Sequence, residues 1–314
     1  MSNIFIKRTI ALIATLLAIT FLTFVVSYLS PGDPAEIKLS KTGMPPSPEV
    51  IEETRKAMGL DRPLPVQYFS WLKGILKGDM GVSHRTGQNV SAVLGKAFPK
   101  TLTIALSTVL LTTLIAIPIA LLCVRYTDSL FDRVIQSTTY MFVSMPSFIV
   151  GLVLLYVLAV RLHWFSVTPG QGLKGYVMPV SVLVLSMSSW YIRQMRTIFS
   201  NQWSMDYVAG LIAKGISKRR VLHRHVLKNS LVPIITLLGN SFATLMVGAT
   251  IVENIFSVPG IGHVAIEAVL NRDYPVIQGF VLWTAIIYIL INFLIDRTYS
   301  VIDPRIRLRK GETL

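Results

Sequence analysis

The sequence predicts an all-α integral membrane protein: six transmembrane helices carrying a helical cap on one side of the bilayer. Three observations predict it. Of 314 residues, 52% are hydrophobic and only 15% charged, with a mean hydropathy of +0.59, a balance suited to a surface that faces lipid. The charges avoid six windows, 9–32, 101–124, 134–160, 175–192, 229–252 and 274–295. Each approaches or exceeds the ~20 residues that a helix needs to cross the hydrocarbon core. Finally, the long polar stretch 33–100 carries three short helical patterns rather than the composition of a disordered segment.

The first window follows Lys7-Arg8 and could be read as a signal peptide. Its apolar core is longer than an h-region and no small-x-small site precedes Pro31, so it is read as a spanning helix ending at Pro31-Gly32-Asp33-Pro34. In the cap, Ser47 as N-cap, Pro48 and the early Glu49, Glu52 and Glu53 start a helix over 48–58, and Gly59 stops it. A second covers 66–76, with Phe69, Leu72 and Leu76 on one side and Gly78 after it. A third over 90–97 leads to Pro99. Windows two to five each hold a proline (Pro118, Pro146, Pro179, Pro233), and the mid-span Pro118 and Pro146 invite kinks. The fourth window is the shortest and is expected to run on past Arg193, whose side chain can snorkel. The fifth adds Gly239, Ser241, Ala243, Thr244 and Gly248, small residues that let helices approach. The domains read as 1–32, the first end and helix; 33–100, the cap; 101–302, a five-helix core; and 303–314, a tail.

Charge sets the orientation. With both ends inside, the segments 1–8, 125–133, 193–228 and 296–314 carry 17 lysines and arginines (2, 2, 8 and 5), against 3 on the short outer segments 161–174 and 253–273. The ten on 33–100 weigh little, because loops beyond ~60 residues translocate regardless of charge. The net charge of +14 is spread beside apolar windows instead of along one groove. It therefore fits anionic lipid rather than nucleic acid. A single cysteine, Cys123, excludes an intrachain disulfide. The absence of ionisable groups from all six windows argues against a proton or sodium relay, and no internal repeat is detected. No phosphate-binding Gly-x-x-x-x-Gly-Lys-Ser/Thr loop and no catalytic constellation are found. His223 and His225 are spaced i, i+2, so on a helix they diverge, and no metal site is read.

The centre of the chain is the polar stretch 193–228, with Arg193, Arg196, Lys214, Lys218, Arg219, Arg220, Arg224 and Lys228 against one acid, Asp206. Residues 209–214 read as a helix with Val208, Leu211 and Ile212 on one stripe, and Gly215 suits its end. A basic helical run, 218–228, follows and carries Val221, Leu222 and Val226. A helix, a glycine turn and a basic helix exceed what a connection between spans requires and suggest a docking surface.

This stretch resembles the EAA loop of ABC-importer permeases, in which a short cytoplasmic helix sits in a cleft of the ATPase subunit. Counting back from Gly215 sets the triplet at Ala209-Gly210-Leu211, so the glutamate is absent, as is the later proline, at Lys228. The peptide/nickel branch has a pattern closer to Tyr207-Val208-Ala209 followed by Ala213-Lys214-Gly215. Further stretches resemble the dipeptide, oligopeptide and nickel permeases. They are Gly32-Asp33-Pro34, Gly59-Leu60-Asp61-Arg62-Pro63-Leu64 with Gln67-Tyr68, Ser144-Met145-Pro146-Ser147-Phe148, the segment from Glu253 to Gln278, and Asp303-Pro304-Arg305-Ile306-Arg307. Pro45-Pro46-Ser47-Pro48-Glu49 and Glu253-Asn254-Ile255-Phe256 lean towards the nickel permeases.

The resemblance implies a MetI-like permease bundle in the cytoplasmic membrane of a bacterium or archaeon. It implies a second homologous permease, two ATPases holding ATP-Mg, an external substrate-binding protein, and no cofactor on this chain. Asp206, Tyr207, Ala209, Lys214, Gly215, Lys218, Arg219 and Arg220 would dock the ATPase. Met141, Ser144, Met145, Asn240 and Glu253 are candidates for a path that opens alternately to either side. The expected cargo is nickel as a chelate, the alternative a di- or oligopeptide. An ion-driven secondary transporter and a non-transporting scaffold are the rivals from other classes.

Overall fold

The computed structural model describes residues 2–29, 33–39, 47–166 and 172–302. The family-like residues Gly32, Pro45, Pro46 and 303–307 lie outside them. Among the described residues the regular elements are helical, apart from one isolated bridge between Val82 and Asn89. Four helices are long and apolar enough to cross a membrane, and six spans result if each of two bent pairs counts as one. The chain divides into two compact units, Met1–Thr101 with Pro259–Ile289, and Leu102–Val258 with Leu290–Leu314. Residues 259–289, placed with the core by windows alone, thus group with the first hundred residues.

In the first unit, α1 (Ser2–Leu29) is followed by α2 (Pro34–Leu39), α3 (Pro48–Ala57) and α4 (Leu64–Leu76). Ser47 caps α3 as expected, its Oγ accepting from Val50 N at 3.5 Å. The α4 helix seats on α1 through Tyr68, which is buried. Its ring meets Phe21 and Phe24 edge-on at 5.3 and 5.6 Å, and its hydroxyl lies 3.1 Å from Thr20 Oγ1. An aromatic body with a polar tip suits that position, where ring faces pack and the hydroxyl is still satisfied. Between α2 and α3, Asp33 accepts from Arg55 at 2.7 Å, and this hydrogen bond raises the Arg55 guanidinium pKa above its ordinary value.

The predicted break at Pro99 is absent. One helix, α5 (Val90–Arg125), runs through both Pro99 and Pro118. Val90 and Leu94 are fully buried in a cluster with Ala268 and Val276, and Ala97 is buried on the same helix. This apolar face reaches almost to the proline, and its burial outweighs the single backbone donor that proline removes.

In the second unit, α6 (Leu130–Val143) and α7 (Ser147–Leu154) form one broken span, bent by 97° at 144–146. Pro146 is the N-cap of α7, so the expected kink is a full break. The span continues in wider π-helical turns over Leu155–Arg161. Helix α8 (Lys174–Trp203) extends ten residues past Arg193, as the short fourth window required. After the loop helices come α12 (Leu231–Gly248) and α13 (Thr250–Ile255). Pro233 falls in the first turn of α12, where its missing N–H costs nothing. A Cβ on Gly239 would overlap the side chain of Ile295, so this glycine is the close approach between α12 and the last helix. In the first unit α14 (Ile261–Leu270) turns into that helix, α15 (Tyr274–Ile302).

Candidate functional site

The polar stretch 193–228 folds as its pattern dictates, with sharper ends. Helix α9 is Asp206–Ala213, starting three residues earlier than the predicted 209–214. Its first turn carries Asp206, where a carboxylate complements the helix dipole. The end is a Schellman turn: Gly215 N donates to Ile212 O at 2.9 Å and Ile216 N to Leu211 O at 3.2 Å. Gly215 has φ +83 and an ideal Cβ there would meet nothing within 4 Å. Glycine is needed for its dihedral alone.

After the turn, α10 (Lys218–Arg220), a π-helical stretch Val221–Val226 and α11 (Leu227–Asn229) run on as the predicted basic helix. Val221, Leu222 and Val226 are buried, while His223 is exposed and His225 half-buried on the turns between them.

An apolar cluster fixes this loop to the bundle. Val208 of α9 is buried with Val221, Leu222 and Val226 against Val124 of α5 and Tyr191, Ile192, Met195 and Phe199 of α8. Tyr207, Leu211, Ile212 and Ile216 pack on the same cluster, and the Tyr207 hydroxyl donates to Gln202 Oε1 at 3.2 Å. The other side of α9 presents Asp206, Ala209, Gly210, Ala213 and Lys214, all exposed. Gly215, Lys218, Arg219 and Arg220 are exposed beyond them. A low ridge of Ala and Gly bordered by cations can enter a cleft with acidic edges without burying an unpaired charge.

Of the expected path residues, Ser144 and Met145 lie in the 97° break and Met141 lies in the last turn of α6 before it. Met141 is 57% exposed, and Ser144 is exposed with its Oγ donating back to Tyr140 O at 2.9 Å. Asn240 is exposed on α12. Glu253 differs: it is wholly buried on α13, and its carbonyl accepts Val258 N at 2.8 Å where that helix ends. It packs inside the unit. Among the described residues no group of three or more His, Cys, Asp or Glu side chains could hold a metal ion.

Two polar ties escaped the sequence reading. Asp132, with no exposed side-chain area, accepts from Arg196 Nε at 2.8 Å and from its NH2 nitrogen at 2.7 Å. Asp273 accepts from Ser83 Oγ at 2.5 Å, His84 N at 2.9 Å and Arg85 N at 3.3 Å. Both join positions more than sixty residues apart, so no local pattern could announce them. The first unit also contains an open cavity of about 670 Å³ lined by Tyr28, Asp33, Arg55, Trp71 and Gln278 among others.

Comparison with known proteins bears on the whole chain. The family described as binding-protein-dependent transport system inner membrane component matches residues 113–308, and its N-terminal counterpart matches residues 1–110. A Brucella abortus (strain 2308) protein named as a peptide transport system permease is 33% identical over 315 residues, covering 98% of this chain and 99% of its own. The glutathione transport system permease protein GsiC of Salmonella choleraesuis (strain SC-B67) is 33% identical over 309 residues, covering 98% of this chain and 100% of its own. Among solved structures, an inward-facing conformation of the MetNI methionine ABC transporter superposes with a TM-score of 0.59 at 14% identity, over 67% of this chain and 96% of that one. That likeness shows a common MetI-like fold. Matched from residue 1 to residue 308 and aligned almost end to end with such relatives, this chain belongs to the binding-protein-dependent transport system inner membrane component family, the permease subunits of ABC importers.

Proposed function

We propose that this chain forms one half of the translocation path of an ATP-driven importer of short peptides. The observation that carries the cargo is the naming of full-length relatives for peptide and for glutathione transport, glutathione being itself a tripeptide. Those names lend no support to the nickel lean of residues 45–49 and 253–256. Nickel wrapped in a chelate therefore stands as a competitor in the test rather than as the leading cargo.

In this reading a second permease completes the path, an external binding protein delivers cargo, and two ATPases bind and hydrolyse ATP. The exposed face of α9 with Lys218, Arg219 and Arg220 docks one of them. Both termini lie in the cytoplasm, on the side where lysine and arginine accumulate. Closure of the ATPases on ATP displaces α9, and the bundle answers as a bistable element, opening alternately to either side. The bend at Ser144–Pro146 places irregular backbone in the middle of a span, which is tolerated where it borders protein or a water-filled cavity.

The test is uptake by proteoliposomes holding the complex purified with this chain and supplied with the binding protein. ATP-dependent accumulation of labelled di- or tripeptide, unaffected by ionophores, is the expected result. Uptake that vanishes with the ion gradient at constant ATP supports a secondary transporter. Accumulation of chelated nickel with no peptide uptake moves the cargo to the nickel branch.

A further inference from the structure

The pair of Asp132 and Arg196 joins a fully buried carboxylate to a half-buried guanidinium. Asp132 is the third residue of α6, behind the N-cap Ser129, whose Oγ accepts Asp132 N at 3.3 Å. Its carboxylate also accepts Asp128 N at 3.2 Å, so the start of α6, the loop before it and Arg196 on α8 meet at one group. The Arg196 fork binds both carboxylate oxygens, at 2.8 and 2.7 Å. One turn earlier on α8, Arg193 lies over the Tyr140 ring at 4.2 Å. Two polar ties therefore hold the same two helices.

A buried ion pair is weak evidence of stability, because desolvation offsets its attraction and apolar residues of equal bulk often serve as well. What a bidentate pair adds is register. Apolar surfaces can slide past one another at little cost, whereas sliding α8 along α6 would strip a fully buried carboxylate of its partners. The position of the pair gives that rigidity a use. Met195 and Phe199, flanking Arg196 on α8, are buried in the cluster that holds Val208 of α9. At its other end, α6 carries Met141 in its last turn and leads directly to the 97° break bearing Ser144 and Met145.

We propose that Asp132 and Arg196 are positioning residues of the transport cycle, their bidentate pair relaying displacement of the α9 loop through α8 to the broken α6–α7 span. The relay rests on the reading of α9 as the ATPase-docking helix. It makes ATP turnover and cargo movement separable at a site that touches neither ATP nor cargo.

The test uses the whole complex in proteoliposomes and reads cargo moved per ATP hydrolysed. The double variant Asp132→Leu/Arg196→Met removes both charges while keeping bulk, so no buried charge is orphaned. It is expected at wild-type abundance and with ATP hydrolysis intact, but with cargo per ATP lowered about tenfold, a typical size for loss of coupling between sites. Arg196→Lys, which keeps the charge and loses the fork, falls between the two. An unchanged ratio in the double variant overturns the relay. So does absence of the double variant from the membrane, which would make the pair an element of folding. If wild type itself shows no ATP-driven uptake, the importer reading fails and takes the relay with it, an outcome visible before any variant is compared.

Discussion

Two loops of this protein are held in place by opposite means. The loop 204–217 takes its shape from what is near it in sequence, a helix dipole with Asp206 and a Schellman stop at Gly215. Its stripe of Val208, Leu211 and Ile212 rests on a cluster drawn mostly from the flanking residues 191–226, with Val124 of α5 beside them. The loop 79–89 is fixed by what is far away. Apart from one bridge and its turns, its anchor is the carboxylate of Asp273, some 190 residues on, which gathers the Ser83 hydroxyl and two backbone N–H groups. An ion pair from Arg85 to Glu267 lies beside it on the surface. Local anchoring spreads the constraint over many weak contacts, so no one side chain decides the conformation. Remote anchoring concentrates the polar constraint on one group, beside the packing of Met80 against Trp283. The two loops should therefore answer very differently to single substitutions.

The largest effect on the fold is expected at Asp273. Replacing it with alanine leaves the buried Ser83 hydroxyl and the N–H groups of His84 and Arg85 without their acceptor. Charge-assisted bonds and orphaned donors together put the local cost at about 3–5 kcal/mol. The exposed Arg85–Glu267 pair, worth at most ~1 kcal/mol, cannot compensate. In detergent, trypsin cleavage after Arg85 should rise at least about a hundredfold over wild type. Unchanged cleavage would show the loop to be held by its own turns, and the contrast between the two anchors would disappear.

A middle-sized effect is expected where two backbones approach. Gly239→Val drives a branched side chain into Ile295, and overpacking of this kind costs about 1–3 kcal/mol. Adding Ile295→Ala should restore most of the lost thermal stability, because it empties the space that the new side chain occupies. Failure of the second change to rescue the first would mean that the helices are kept together elsewhere. Unlike Asp273, this site can be repaired by its neighbour, since shape rather than a hydrogen-bond geometry is at stake.

The same division explains what could be read from the amino acids alone. Six apolar windows, the α3 start at Ser47 and the stops at Gly59, Gly78 and Gly215 are local, and the chain declares them by composition or by one residue type. The exposed face of α9 was legible for the same reason. The stops at Ser257 and Arg272 were not. Both residues adopt positive φ, at 50 and 52, without the glycine that normally signals it. Asp132 and Asp273 were invisible because a carboxylate near a turn looks like any solvated acid until its partner is known. Glu253 shows the converse: a polar residue beside a span suggested a path, and its complete burial could not be read from the amino acids.

The smallest effect on the fold, and the most direct test of the locally anchored loop, belongs to Gly215→Val. A Cβ added there meets nothing within 4 Å, so the cost comes chiefly from φ +83, which a β-branched residue resists. That cost is about 1–2 kcal/mol. The buried residues around it, Val208 and Val221 among them, keep their contacts, so abundance and the melting temperature of the protein should change little. What should change is the direction in which the chain leaves α9. Relief of the strained dihedral breaks the 2.9 Å and 3.2 Å bonds that close the turn and re-aims Lys218, Arg219 and Arg220. Those three are exposed, so their misplacement is inexpensive in the isolated chain and harmful only to a surface that must meet a partner. The expected outcome is near-normal abundance, weakened co-purification of the ATPase and uptake reduced about tenfold or more, as for loss of a well-placed charge cluster at an interface. Full uptake in the valine variant would show that the turn is a connection and nothing else. Loss of the protein from the membrane would show instead that a single residue does decide this loop, and that the local anchoring described above is as brittle as the remote one.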